Sequence, residues 1–568
     1  MKNMMIKHLI MLGVSLSLGM GGVVFAEEFT SFPQRPDRSV VTLTLASVFS
    51  DGMVMQRDQD VRVWGWGKVG DEVVVNFAGQ EAKVKINDKG SWQSQLKPMK
   101  ASFEDRVMTV TAGGKVLSVK DILVGEVWLC GGQSNMERKM NSSRDSDLEL
   151  ASGDYPAIRF LRIPKVANTH PQADYQPVEN GGEGHWKKCQ GKDLAQCSAV
   201  GYYFGKRLHR MLKVPVGLID TSWGGTMAQH WAEREMLKKL AVMKPYFQES
   251  EAAQKAWIQN GKEQGASDQL QFDLMQWKKS IKRLEPGERK PGKPKEKTDP
   301  ANDAQPAGML NGLIAPLSGY TIRGVLFYQG ENNSFGESWK PYYETFSSVI
   351  STFRKSFDQP DLPFGIIQIA GWSTRRSMSY DMNHHCNVIR EVQFDIWRKT
   401  PNTGLIVSFD ANSDGNIHPR HKRPVGERSA RWAVSEVYQA VDNRNQPIKW
   451  RGPVFKNMEV KDGKCVVSFE KDGAEGLRLD KDVDVGFYIA GEDQIFHHAR
   501  AKAGSGEVTV WSDTVKDPVA VRYAFSNLPI GGLMNGLELP AYPFRSDNWP
   551  IKPHHSEGEY MRSHIDNE

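Results

Sequence analysis

Along residues 40–120, apolar and polar positions alternate in short runs separated by turn residues. Val61-Arg62-Val63-Trp64-Gly65-Trp66 and Glu72-Val73-Val74-Val75-Asn76-Phe77 repeat with period two and are rich in β-branched and aromatic side chains. Asn87-Asp88-Lys89-Gly90 supplies turn chemistry, and Val107-Met108-Thr109-Val110-Thr111 runs up to a second turn at Gly113-Gly114. Because successive strand side chains point to opposite faces, this pattern predicts a small antiparallel β domain.

From Asp121 the texture changes. Val124–Cys130, Val216–Asp220, Gly324–Tyr328, Phe364–Ile369 and Gly404–Phe409 are near-continuous apolar runs of strand length, with helix-favouring stretches such as Val200–Leu212 between them. Strands apolar throughout are buried on both faces, which predicts a parallel sheet covered by helices. Ligands bind such sheets beyond the carboxyl ends of the strands, so chemistry is expected just after each run. Between about Ala232 and Pro306 a charged, helix-favouring stretch (Glu233–Met243, Glu249–Trp257, Leu270–Leu284) breaks the rhythm and reads as an insertion placed to cover one side of the cleft. Alternation returns late in Lys464–Phe469, Glu507–Trp511 and Val519–Tyr523. The predicted organisation is a β domain over 40–120, an α/β domain over 121–445 with its insertion at about 232–306, and a second β region over 446–550 before a polar tail.

The first residues add an address. Lys2 and Lys7 precede an apolar run from Leu9 to Met20, and Val24-Phe25-Ala26 ends it. A basic start, an apolar centre too short to span a bilayer and small residues at the end predict a signal peptide over 1–26 and export to the periplasm or medium. No later stretch approaches the roughly 18 apolar residues a membrane helix needs, so no integral membrane segment is expected after cleavage. A formal net charge of +5 over 568 residues gives no field that points to nucleic acid. The dense basic run Arg289–Lys297 is broken by Pro and Gly and reads as a solvated loop. Cys130, Cys189, Cys197, Cys386 and Cys465 are too scattered for a disulfide scaffold; a Cys189–Cys197 bridge and free buried thiols both remain open.

Four clusters follow predicted strands. Gly131-Gly132-Gln133-Ser134-Asn135-Met136 presents a serine after a sharp turn, near N–H groups able to hold an oxyanion; with Met136 two residues beyond the serine, it is not a G-x-S-x-G elbow. Thr221-Ser222-Trp223-Gly224-Gly225-Thr226 offers glycine amides that can approach a substrate oxygen closely, or a tight packing turn. Tyr328-Gln329-Gly330-Glu331-Asn332-Asn333 gathers amide side chains, which donate hydrogen bonds without changing charge. Asp414-Gly415-Asn416-Ile417-His418-Pro419 supplies an imidazole able to take the serine proton and return it to a leaving alcohol. His418 and His421 could form half a metal site, but no companion ligand stands at useful spacing.

The order Ser, Gly, Asn/Gln, His resembles the four blocks of SGNH hydrolases. More closely, Gly132-Gln133-Ser134-Asn135-Met136, Ser222-Trp223-Gly224-Gly225-Thr226, Tyr328-Gln329-Gly330-Glu331 and Ile417-His418-Pro419 resemble the sialate O-acetylesterase family. So do Asp51–Gln56, Asn311–Leu317, Arg390-Glu391-Val392-Gln393 and Val521-Arg522-Tyr523-Ala524, so the likeness spans nearly all of the chain after residue 26. The resemblance implies an α/β fold, an SGNH-like three-layer core with a parallel sheet flanked by antiparallel β domains, that cleaves acetyl esters on carbohydrate without metal or organic cofactor. It makes Ser134 the nucleophile and His418 its base, with the Ser134 amide, Gly225 or Gly224, and a side-chain amide of Gln329 or Asn332 as oxyanion donors. SGNH enzymes commonly place an aspartate three residues before the histidine, where this chain has Gly415. Either Asp414 reaches His418 through a bent loop, or a backbone carbonyl such as that of Asn416 orients a Ser-His dyad. Glu331 has the charge for a role at the site or for a structural ion pair. Sialate, xylan and pectin esters all remain open as substrates. A lipase or thioesterase would need an apolar binding surface, whereas Trp128, Trp223 and Trp231 suit stacking on sugar rings. A secreted carbohydrate-binding protein would not need Ser134 and His418.

Overall fold

The computed structural model describes residues 42–259, 274, 275, 277, 305–372, 385–411, 416–480 and 486–551. The predicted signal peptide, most of the Leu270–Leu284 segment, the basic run Arg289–Lys297 and Asp414-Gly415 therefore lie outside the described residues.

The apolar runs form one sheet. Its strands are β1 (Lys115–Gly132), β2 (Asp154–Arg162), β3 (Trp186–Gln190), β4 (Val216–Asp220), β5 (Gly324–Tyr328), β6 (Phe364–Ile367) and β7 (Thr403–Ile406), in spatial order β3-β2-β4-β1-β5-β6-β7. All neighbours are parallel except the edge strand β3, which runs antiparallel to β2. The chain leaves β1 toward β2 and β4 on one side and later returns to β5 on the other. The carboxyl end of β1 is thus a point where strand order reverses, the place an open α/β sheet offers a ligand.

Both faces of the sheet are covered, which explains why its strands are apolar throughout. Trp128 of β1 packs edge-on against Phe204 of helix α1 (Ala199–Leu212), centroids 5.0 Å apart, and against Trp432 of α4 (Arg423–Trp432), 5.9 Å apart. On the opposite face Phe327 of β5 meets Phe346 and Phe353 of α2 (Tyr342–Ser356) at 5.8 and 5.5 Å. A fourth helix, α3 (Cys386–Lys399), packs beside α2 and β7.

The expected boundary between residues 120 and 121 lies inside β1, which runs 18 residues without a break. Its first half pairs antiparallel with Ser102–Ala112 and its second half is the centre of the parallel sheet. The change of texture marks a kink at Asp121, whose φ is 56° and whose carboxylate receives Arg159 Nη2 at 2.7 Å. Asp51–Gln56 clips the N-terminal region to the same strand: Asp51 Oδ1 accepts from the Lys120 N–H at 2.7 Å and Gln56 Oε1 from the Val127 N–H at 2.8 Å.

In the C-terminal region, Phe455–Lys461, Lys464–Phe469, Glu507–Trp511 and Arg500–Ala503 form one antiparallel sheet. Phe487–Ala490, Ala520–Tyr523 and Phe544–Arg545, with His497–His498, form another. Arg390 of α3, 1% exposed, donates to the Ser526 carbonyl, Glu391 pairs with Arg545 at 2.6 Å, and Tyr542 donates to the Leu405 carbonyl of β7. All five cysteines are buried free thiols, with the Cys189 and Cys197 sulfurs 3.9 Å apart. Among the described residues no helix is long and apolar enough to cross a membrane.

Candidate active site

Gly132 ends β1 at φ +115°, and a Cβ there would lie 2.2 Å from the Tyr328 carbonyl oxygen, so only glycine lets β1 turn this close to β5. The turn is then pinned: the Gln133 N–H donates to the Tyr328 carbonyl at 2.8 Å and the Trp223 N–H to the Gly132 carbonyl at 2.9 Å. A one-turn helix, Ser134–Glu137, follows, with half-buried Ser134 at its first position. Its hydroxyl lies 2.8 Å from His418 Nε2. Residues 284 positions apart in the chain are brought into one hydrogen bond.

Burial holds the His418 imidazole below its ordinary pKa, and the positive charges of Lys422 and Arg138 push the same way, with Glu137 opposing. A neutral ring with Nε2 facing a hydroxyl is the form that can accept a proton. The backbone N–H of His418 donates to Asn416 Oδ1 at 2.9 Å, which shapes the approach of the chain to the ring. Asp414 lies outside the described residues.

Two of the expected oxyanion donors are committed elsewhere. The Gly224 N–H donates to Glu137 Oε2 at 2.7 Å, so it serves the loop rather than a substrate. Gln329 is fully buried, with its amide nitrogen facing Gln133 Oε1, Thr226 O and Asn333 Oδ1 at 3.2, 3.2 and 2.8 Å. It stitches three loops together from beneath. Gly225 is exposed at φ +78°, and Asn332 Nδ2 donates to its carbonyl at 2.7 Å, leaving the amide a second hydrogen. Among the described residues the N–H groups of Ser134 and Gly225 have no partner. Those two amides and the second hydrogen of the Asn332 amide are, of the expected donors, the ones not committed elsewhere among the described residues.

Glu331 is buried, which pushes its carboxyl above the usual range. It accepts from Asn135 Nδ2 and so faces the protein rather than the cleft. Trp128 and Trp231, expected as sugar platforms, are both 0% exposed. Trp128 fills the sheet–helix interface, and Trp231 packs on Phe327 with its N–H given to Thr226. Trp223 alone of the three is half-buried, with Lys165 Nζ 5.9 Å from its ring centroid, and it precedes Gly224, where a Cβ would lie 3.2 Å from Ser134 Cβ.

Several residues not singled out from the sequence organise the site. Gln133 Oε1 accepts from Gln329 Nε2 and lies 3.2 and 3.3 Å from the Gly330 and Asn332 N–H groups, setting the end of β5. Glu137 holds the glycine loop and pairs with Lys165, and Lys422 donates to Asn135. Gln393 Nε2 donates to the Gln329 carbonyl at 2.9 Å, which gives the Arg390–Gln393 segment its link to the site. Adjacency to Ser134 and His418 was the available signal for Asn135, Glu137 and Lys422. Among the described residues no three His, Cys, Asp or Glu come together as metal ligands would.

A half-buried serine just beyond the end of a buried strand, hydrogen-bonded to a neutral histidine and with amides alongside that are unpaired among the described residues, is an arrangement suited to acyl transfer. Residues 308–434 match the family described as carbohydrate esterase, sialic acid-specific acetylesterase. The chain is 29% identical to the rat sialate O-acetylesterase over 446 residues, 73% of this chain and 76% of that one. It is 28% identical to the human sialate O-acetylesterase over 458 residues, 75% and 76% of the two chains. A crystal structure described as a novel carbohydrate acetylesterase from Xanthomonas citri is similar with TM-score 0.71 and 30% identity, covering 89% of this chain and 100% of that one. The protein is a carboxylic ester hydrolase. It belongs to the sialate O-acetylesterase family of carbohydrate esterases.

Proposed function

We propose that this chain is an exported serine esterase that removes O-acetyl groups from carbohydrate, with Ser134 as nucleophile and His418 as general base, on an SGNH-type three-layer core flanked by antiparallel β domains. The observation that carries the reading is the 2.8 Å contact between His418 Nε2 and Ser134 Oγ beside the N–H groups of Ser134 and Gly225, which have no partner among the described residues. Ser134 Oγ attacks the acetyl carbonyl while His418 takes its proton. The oxyanion is met by the Ser134 and Gly225 amides and by Asn332. On collapse the ester C–O bond breaks and His418 returns the proton to the departing sugar hydroxyl. Water, activated by the same histidine, then attacks the acetyl-enzyme and releases acetate.

The carbohydrate acetyl ester is supported by the names of the rat and human relatives and of the Xanthomonas citri neighbour, and a sialate ester is the member those relatives favour. Export is supported by the basic, apolar, small-residue order of residues 1–26. The test is acetate release from O-acetylated sialic acids, acetylated xylan and acetylated pectin by the wild type and Ser134→Ala. Release that depends on Ser134 from one of these is expected. Equal release by the variant rejects the nucleophile, and release from none rejects the substrate class.

A further inference from the structure

Beneath the reactive pair lies a chain of buried polar groups that the mechanism above does not use. Asn135 follows Ser134 and is 0% exposed. Its Nδ2 donates to the carbonyl of Ile417, the residue before His418, at 2.9 Å, and also to Glu331 Oε1. Its Oδ1 accepts from Lys422 Nζ at 2.5 Å. Lys422 is 1% exposed, with its ammonium 5.3 Å from the Tyr328 ring centroid.

These contacts allow the amide one orientation. A charged lysine can only donate and a carbonyl can only accept, so Oδ1 must face Lys422 and one N–H must face Ile417, which leaves the other N–H to Glu331. Turned over, the amide would meet a donor with donors and acceptors with an acceptor. One buried hydrogen bond therefore joins the neighbour of Ser134 to the neighbour of His418, and two buried polar side chains orient it. Burying a lysine and a glutamate is costly unless each meets a partner, so their presence here calls for a function.

We propose that Asn135, oriented by Lys422 and Glu331, is a positioning residue that sets the His418 imidazole against the Ser134 hydroxyl. This inference rests on Ser134 and His418 being nucleophile and base. Lys422 adds a readout of its own, because its charge is one of those facing His418. From the nucleophile turn Arg138 acts in the same direction and Glu137 against it, while from the histidine's own segment the charge is that of Lys422.

The experiment uses the full chain with an aryl acetate as probe and compares wild type, Asn135→Asp, Lys422→Met, Lys422→Arg and Ser134→Ala. Asn135→Asp keeps the shape but loses both donors. It should lower kcat by about 10²-fold at unchanged KM, the loss expected when reacting groups shift by about 1 Å. Lys422→Met should move the acid limb of kcat/KM to higher pH, since one charge disfavouring the imidazolium is gone, and Lys422→Arg should leave that limb in place. Wild-type kcat in Asn135→Asp, or a rise in KM alone, overturns the proposal. Should Asn135→Asp fail to fold, as judged by its thermal midpoint, a wild-type kcat in Lys422→Met, which removes the donor that orients Asn135, overturns it instead. A Ser134→Ala enzyme that stays active rejects the nucleophile; an inactive one beside a fully active Asn135→Asp rejects only the clamp.

Discussion

Glu137 offers the sharpest test of how the glycine loop is held. Its Oε2 accepts from the Gly224 N–H at 2.7 Å, its other oxygen pairs with Lys165, and its side chain is 24% exposed. Glu137→Ala removes the anchor of a loop whose next residue, Gly225, is proposed to meet the oxyanion. A hydrogen bond to a charged group contributes about 1.5–3 kcal/mol, and partial exposure places this one toward the lower end. With a tenfold change per roughly 1.4 kcal/mol, a freed loop should lower kcat about 10- to 100-fold. Loss of one oxyanion donor altogether, about 10²- to 10³-fold, is the ceiling. Glu137→Gln keeps an acceptor for the same N–H at neutral strength, about 0.5–1.5 kcal/mol, so its loss should stay within roughly tenfold. The assay is steady-state hydrolysis of an aryl acetate across pH. A second signature accompanies the first: the Glu137 carboxylate favours the imidazolium, so either substitution should lower the His418 pKa and move the acid limb of kcat/KM to lower pH. Equal kcat losses in the Ala and Gln variants, or a rise in KM without a fall in kcat, would refute the anchoring role.

Other expectations follow from the same geometry. In the wild type the acid limb of kcat/KM should fall below about pH 6.5, the ordinary histidine value, because burial and the charges of Lys422 and Arg138 keep His418 neutral; a limb at or above that value contradicts the environment described. Trp128→Ala should cost about 3–5 kcal/mol in denaturant unfolding and leave KM for a sugar ester unchanged, whereas Trp223→Ala should raise KM at little cost in stability. Gly225→Ala, with open space around its Cβ, should lose only about 1–2 kcal/mol to its left-handed φ, while Gly132→Ala forces β1 from β5 and should lose clearly more. Similar unfolding midpoints for the two glycine variants would contradict the close approach at Gly132.

What the chain disclosed in advance depended on where its charges lie. Val216–Asp220 and Gly324–Tyr328 were legible as whole strands because nearly every side chain in them is apolar and every one is buried. Strands β2 and β3 were not, because β2 carries Arg159 and Arg162 into the interior. Arg159 is paired with Asp121, and Arg162 lies 3.4 Å from Asp220. A buried arginine breaks an apolar run in the sequence, and its partner cannot be seen without the fold. The four clusters lie beyond their strands for the reason the apolar pattern gave, yet the duties within each cluster were hidden. Gly224 and Gln329 look as suitable as Gly225 and Asn332 until Glu137 and Gln133 are seen to claim their donors. The tryptophans misled in the opposite sense: a ring beside polar residues in the chain can still point into the sheet–helix interface, as Trp128 does.

The four clusters come together through the turn that carries the serine. Helical residues are set about 100° apart around their axis, so consecutive side chains on a single turn face different neighbours. Gln133 reaches the end of β5, Ser134 the imidazole, Asn135 the carbonyl before that imidazole, and Glu137 the glycine loop. Each of the other three clusters is thus held by a side chain from this turn. Rigidity is gained where it matters, since β1 is the central strand and its end is pinned from both sides by Tyr328 and Trp223. The same arrangement explains why opposing charges can adjust one imidazole: Glu137 and Arg138 come from the serine's turn, Lys422 from the histidine's own segment, and all three act on His418. An insertion of one residue directly after Gln133 would rotate every later side chain by about 100° and release the histidine segment and the glycine loop together. The site therefore depends on the spacing within Gln133–Glu137 as well as on the side chains that this spacing aims at the other three clusters.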